Sequence, residues 1–335
     1  MSGFPARERL WIVFASFGAL VAAVLMAPLL GSSPLDFRRV FDLSIPFEQN
    51  IDAQIFFIAR LPRALAAALV GASLAAAGVV FQALLRNPLA TPYTLGVSTG
   101  ASLGAMLAIT FGWTVPLIAV SAVSASALIG AMLSVLIVYW LARARHAGLS
   151  TTVLLLAGVT LNAFFSALIL FVQYIGNFAD IHRAMRWLMG SLDVSSYRPL
   201  AGALPIVAIG GCIFFWLARP LNLIAAGPEA ASSRGLDVQR THRLAFFSAS
   251  IVTGAAVSVG GPIGFVGIIV PHLVRLVAGA DHRIVLPASA FFGGAFLVAC
   301  DVLARMVLAP VELPVGVVTA TIGGPFFLWM LIRKT

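Results

Sequence analysis

Arg60-Leu61-Pro62-Arg63 and Arg86-Asn87-Pro88-Leu89-Ala90-Thr91-Pro92 fence a run, Ala64 to Leu85, of 22 residues with no charge and only Ser73 and Gln82 as clearly polar side chains. At ~1.5 Å of rise per residue, that run suffices for one helical crossing of a bilayer's hydrocarbon core. Proline at 62 suits the first turn of a helix, and Pro88 and Pro92 cannot continue one. The reading is a helix with a sharp prolyl boundary at each edge, then a break and a re-entry at Gly96-Val97-Ser98-Thr99-Gly100-Ala101-Ser102.

The rest of the 335-residue chain is built in the same way. With 61% hydrophobic and 10% charged residues and a mean hydropathy of +1.03, a soluble domain would lack the polar surface to cover itself. Apolar segments recur at Leu10–Leu30, Ala64–Leu85, Tyr93–Phe111, Val115–Leu141, Thr152–Tyr174, Leu200–Leu217, Leu244–Val259, Ile263–Ala278, Ile284–Val307 and Val315–Ile332. This predicts an all-α polytopic membrane protein with about ten transmembrane helices in a single domain, 1–335. Leu10–Leu30 follows Arg7 and Arg9 but has no clean small-x-small site after it, so it reads as an uncleaved first span.

If the N-terminus is cytoplasmic, the acidic and basic residues of the outside segments cancel and the whole formal charge of +9 lies inside. Lys and Arg in short loops set orientation, so both termini are expected in the cytoplasm. The basic balance is thus accounted for without nucleic acid, which would need a basic patch on a soluble face. Cys212 and Cys300 fall inside apolar spans and have no metal spacing.

Absences narrow the function. A nucleotide-binding P-loop needs a lysine after its glycines, and the only lysine here is Lys334, the penultimate residue. No His-Glu-x-x-His pattern occurs, and His272 in Pro271-His272-Leu273 stands alone. The ionisable groups expected deep in a span are Asp301 and Arg305, four apart on one helix face and able to pair. From 219 to 243 the chain holds a long connection between two spans. In it Pro228-Glu229-Ala230-Ala231 reads as a helix start and Gly235 as its stop, giving either a rigid knob for a soluble partner or a surface helix that covers loop ends.

These residues resemble the FecCD family of ABC importer permeases over nearly the whole chain. Four stretches carry the likeness. They are Arg60-Leu-Pro-Arg63 with Gly71-Ala-Ser-Leu-Ala-Ala-Ala-Gly78, and Asn87-Pro-Leu-Ala90 with Leu95-Gly-Val-Ser-Thr-Gly-Ala101. Then come Gly261-Pro-Ile-Gly-Phe-Val-Gly-Ile-Ile-Val-Pro-His-Leu-Val-Arg275 with Asp281-His-Arg283, and Glu312-Leu-Pro-Val-Gly-Val-Val-Thr-Ala-Thr321 with Gly324-Pro-Phe-Phe-Leu-Trp329.

The resemblance implies a type II ABC importer permease fold of ten helices containing an inverted repeat, in a cytoplasmic (inner) membrane. It implies a homodimer with the path along its two-fold axis and two ATP-binding subunits beneath, so that ATP and Mg belong to those partners and this chain holds no cofactor, metal or catalytic residue of its own. It makes 219–243 the coupling segment, with Gly227, Glu229, Ala230, Arg234 and Gly235 facing the ATPase. Arg60, Arg63 and Arg305 match docking positions for a periplasmic substrate-binding protein. The alternatives are that Arg60 and Arg63 snorkel at the bilayer edge and that Arg305 only neutralises Asp301.

Asn87, Leu89, Thr151 and Thr152 match gate positions of cobalamin-type relatives; the alternative is that they cap helix ends. The implied cargo is an iron chelate (siderophore or haem) or cobalamin. Met185, Met189 and His182 near Trp187 read as packing rather than haem ligands. The rival reading is an ion-coupled secondary transporter acting without an ATPase and dependent on Asp301.

Overall fold

A computed structural model describes residues 6–31, 33–114, 121–144, 151–194 and 196–334. Its main helices are α1 (Ala6–Met26), α2 (Leu61–Leu84), α3 (Val97–Thr110), α4 (Ala122–Ala144), α5 (Thr151–Ile175), α6 (Phe178–Leu188), α7 (Arg198–Ala225), α8 (Pro228–Ser233), α9 (Val238–Gly260), α10 (Val266–Ala278), α11 (His282–Met306) and α12 (Val315–Lys334). No strand occurs among the described residues. Each of the ten apolar segments corresponds to one helix, and α6 and α8 are the two left over. Among the described residues seven helices are long and apolar enough to cross a membrane, and Val97–Thr110, Val266–Ala278 and Val315–Met330 are shorter apolar helices. The chain is an all-α multi-pass membrane protein.

Burial sorts the helices into an inner set and an outer ring. Of the apolar window in Ile51–Leu84, 78% is buried in the protein, with 72% for Val238–Gly260 and 67% for His282–Met306. The window of the first span is only 17% buried, so its remaining apolar side chains face lipid. The inner helices pack α2 against α11, α9 and α10. Lipid tails are as apolar as the side chains, so close backbone approach rather than water exclusion drives this contact. Glycine makes the approach possible: a Cβ on Gly71 would lie 2.3 Å from the Gly293 carbonyl oxygen, and one on Gly78 would lie 2.2 Å from that of Gly267.

The expected sharp start at Pro62 is not what the chain adopts. Helical backbone runs on from Ile51 through a six-residue π turn, Ile55–Arg60, into α2. Pro62 has no N–H to offer an upstream carbonyl, and the wider π turn, in which the Leu61 N–H reaches the Phe56 carbonyl, absorbs the mismatch without ending the helix. The other edge is a true stop. Arg86 N–H donates to the Ala83 carbonyl at 3.3 Å and Asn87 N–H to that of Gln82 at 3.1 Å, a Schellman closure with Arg86 at φ 50°.

Candidate functional site

Two breaks shape the middle of the bundle. After α2 the chain turns back as a short 3₁₀ segment, Pro92–Leu95, and enters α3 through Gly96 at φ 79°. After α9 it crosses 261–265 and enters α10 through Phe265 at φ 68°. Both short helices thus begin on a left-handed residue, and both follow a long inner helix. The breaks are deep: Gly96 sits against Ser134 of α4 and Gly158 of α5, and Ile263 against Gly190 and Gly260. The Tyr93 hydroxyl of the first break donates to the Ile263 carbonyl of the second.

Irregular backbone inside a membrane protein must find partners within the protein or line a cavity. Here side chains supply them. Asn162 Nδ2 donates to the Tyr93 carbonyl at 2.9 Å, Thr99 Oγ1 donates to Asn162 Oδ1 at 2.6 Å, and Ser134 Oγ donates to the Gly96 carbonyl at 2.7 Å. Broken helices at matching places in two halves of a chain point to the transport path in membrane carriers. Tyr93, Thr99, Asn162 and Ile263 are therefore candidate path-framing residues that sequence reasoning missed. The signal was present in the paired Gly/Pro breaks at 87–96 and 261–265, but not in these side chains individually.

At the end of the bundle that holds Arg60, Arg63 and Arg305 form one network with Asp301, and Arg60 lies beside it. Arg63 Nε donates to Asp301 Oδ1 at 2.9 Å and Arg305 Nε to Oδ2 at 3.1 Å, while Arg63 Nη1 reaches Glu312 at 2.5 Å. Arg305 also donates to the carbonyls of Leu30 at 3.0 Å and Ala27 at 3.3 Å. Arg60 donates to the carbonyls of Pro28 and Ser33. Asp301 is 1% exposed, Arg305 4% and Arg60 7%. The structure therefore places Arg60 and Arg305 inside the chain, clamping the segment after α1, and leaves Arg63 at the margin beside exposed Glu312. Both Asp301 oxygens are occupied by guanidiniums.

The opposite end carries α8. This helix buries only Ala231 and leaves Glu229 and Ala230 exposed, with Arg234 and Gly235 exposed just after it. Gly235 N–H donates to the Ser232 carbonyl at 2.9 Å and Leu236 N–H to the Ala231 carbonyl at 3.1 Å. That Schellman closure requires a left-handed C′ residue, and Gly235 supplies it at φ 80° with open space around it. Gly227, the N-cap of the helix, takes φ 129° and ψ 136°, a different positive-φ backbone that also favours glycine. α8 packs on α7 and α9, so two membrane helices hold it. Nearby, Asp281 caps α11. The Arg283 side chain, with the Asn222 amide at 2.7 Å and the Arg283 N–H, holds its carboxyl down to about 2.

Of the expected gate residues, Asn87 and Leu89 lie just after α2, and Thr151 and Thr152 open α5. Asn87 Oδ1 accepts from Leu89 N–H at 2.9 Å, closing a turn, and Leu89 is exposed. Thr152 is exposed on the first turn of α5, and the side chain of Thr151 lies outside the described residues.

The FecCD transport family model matches residues 19–333. The chain is 47% identical over 272 residues to the cobalamin import system permease protein BtuC of Halobacterium salinarum, covering 81% of this chain and 72% of that protein. It is 38% identical over 317 residues to the hemin transport system permease protein HmuU of Yersinia pestis, covering 94% and 93%. Against the uncharacterized ABC transporter permease protein YvrB of Bacillus subtilis the identity is 36% over 327 residues, covering 95% and 92%. Among solved structures, a metal-chelate type ABC transporter in an inward-facing conformation superposes with a TM-score of 0.82 at 30% identity, covering 98% of this chain and all of that one.

Proposed function

This chain belongs to the FecCD transport family of ABC importer permeases, and from that premise we propose that it is the membrane-spanning half of an ATP-driven importer of a metal chelate: cobalamin, haem or an iron siderophore. The observation that carries the reading is α8, a short helix fixed on two membrane helices that presents Glu229, Ala230 and Arg234 outward. A rigid exposed element of this kind transmits closure of a soluble motor to the bundle.

In the proposed cycle two copies of the chain pair and two ATPase subunits, holding ATP and Mg²⁺, press on α8 and its flanks at Gly227 and Gly235. The α8 end and both termini then lie in the cytoplasm, and the Arg60 end faces the other side of the inner membrane. There a loaded substrate-binding protein docks. Arg60 and Arg305 are buried and bonded to backbone carbonyls within the chain, so they hold the rim, and Arg63 is the member able to exchange Glu312 for an incoming carboxylate. The breaks around Tyr93 and Ile263 frame the path, and Asn87, Leu89, Thr151 and Thr152 stand at its α8 end.

The test is reconstitution of the chain with a candidate ATPase subunit and binding protein in liposomes, following ATP hydrolysis and uptake of cobalamin, haem and a ferric siderophore. Wild type should form a stable complex whose hydrolysis responds to the binding protein, and Gly235→Trp, which enters open space, should uncouple the two. Uptake driven by a proton or sodium gradient with no ATPase bound would overturn the proposal.

A further inference from the structure

Beneath the break after α2 lies a cavity of about 380 Å³ lined by Gln82, Arg86, Asn87, Ala225, Arg275 and His282. It opens where α2 and α7 end and α11 begins, two residues from Gly227, and of its lining only Asn87 enters the transport cycle above. Its chemistry is that of an anion site. The Arg275 guanidinium, half-buried, donates to the neutral Gln82 Oε1 at 2.5 Å and makes no ion pair among the described residues. The Arg86 guanidinium likewise makes no ion pair or hydrogen bond among them.

Asp281, next in the chain to His282 of the lining, is already spent on Arg283 at 2.9 Å and Asn222 at 2.7 Å. Asn87 Oδ1 is taken by the Leu89 N–H, which leaves its amide NH₂ as the group offered. His282 is fixed by Asn222 through Nδ1 at 2.6 Å and adds its ring to the wall.

The backbone points the same way by a separate route. Arg86 occupies the left-handed C′ position that closes α2, at φ 50°, where a side chain carries a steric penalty that glycine avoids. A strained residue held at such a position is a mark of function. An arginine there is explained if its charge is needed in the cavity beside it.

We propose that this cavity binds a phosphate group, supplied either by a phospholipid headgroup at the membrane surface or by free phosphate. Two guanidiniums and an amide, converging without a carboxylate, match the several oxygens of a phosphate. An occupied site would tie the end of α2 to the start of α11 beside α8. The inference does not rest on the transported cargo.

The test is the unfolding temperature of the full purified chain in detergent at fixed ionic strength. It is titrated with inorganic phosphate and, separately, with short-chain phosphatidylglycerol against phosphatidylcholine of the same chain length. Wild type should be stabilised by phosphate or by the anionic lipid and not by the zwitterionic one. Stabilisation by phosphate identifies the free ion as sufficient, and stabilisation by the lipid alone identifies the headgroup. Arg86→Gly, which relieves the backbone strain, should fold at least as well without ligand yet bind roughly tenfold or more weakly, and Arg275→Gln should weaken binding similarly. An unchanged response in Arg86→Gly, or stabilisation by neither ligand, overturns the proposal.

Discussion

The Tyr93 hydroxyl donates to the Ile263 carbonyl, a side-chain bond that joins the two broken stretches of the bundle across 170 positions of sequence. Each stretch follows a long inner helix and precedes a short one, so this bond ties the two halves together where neither is α-helical. Any movement of one half against the other must strain or break it.

Tyr93→Phe removes the donor and leaves a buried carbonyl. The expected loss is about 1–3 kcal/mol of stability, read as a lowered unfolding temperature in detergent, together with altered uptake in liposomes. An unchanged melting profile would show that the halves are held without it.

The glycine crossings predict a sharp contrast. Gly71→Ala drives a methyl to within 2.3 Å of the Gly293 carbonyl oxygen and must part α2 from α11, at a cost of about 1–3 kcal/mol or more. Gly211→Ala, whose Cβ meets nothing within 4 Å, should be neutral or stabilise by up to about 1 kcal/mol. Expression level and unfolding temperature of the pair decide it.

Asp301→Asn leaves Arg63 and Arg305 without their shared carboxylate in a buried setting. Removing one partner of such a network costs about 3–5 kcal/mol, whereas Glu312→Gln, at an exposed position, should cost no more than about 1 kcal/mol. An Asp301→Asn protein of normal stability that loses only gradient-driven uptake would favour ion coupling instead.

Asp281 has its carboxyl lowered from 3.8 to about 2 in the folded chain. A depressed carboxylate contributes stability that is fully present above the unfolded value and is lost as pH falls towards the folded one. Wild type should therefore lose more stability than Asp281→Asn between about pH 4 and pH 2, as followed by unfolding temperature across that window.

Much of the fold could be read from single segments, since a span announces itself by length and apolarity alone. All ten apolar segments became helices, and Pro228 and Gly235 bounded α8 as their backbone preferences require. The pair Asp301 and Arg305 was legible because four residues make one helical turn. Its third member was not: Arg63 reaches Asp301 across 238 positions, and Arg60 finds backbone carbonyls that carry no sequence identity at all. The amphipathic α6 contains no long apolar run to announce it. The depth of the two breaks depends on how α4 and α5 pack around them, which no local pattern encodes.

The clamp on the end of the first span has a consequence for how the protein is made. Arg305 holds the carbonyls of Ala27 and Leu30 from 278 and 275 positions downstream, and α1 packs chiefly on α11. A growing chain emits its first span long before its ninth exists. Until the ribosome has delivered α11, α1 waits in the lipid without its latch, so synthesis order and assembly order diverge. A chain terminated upstream of Arg305 would retain a correctly inserted but unfastened first helix, a form that quality-control proteases could recognise.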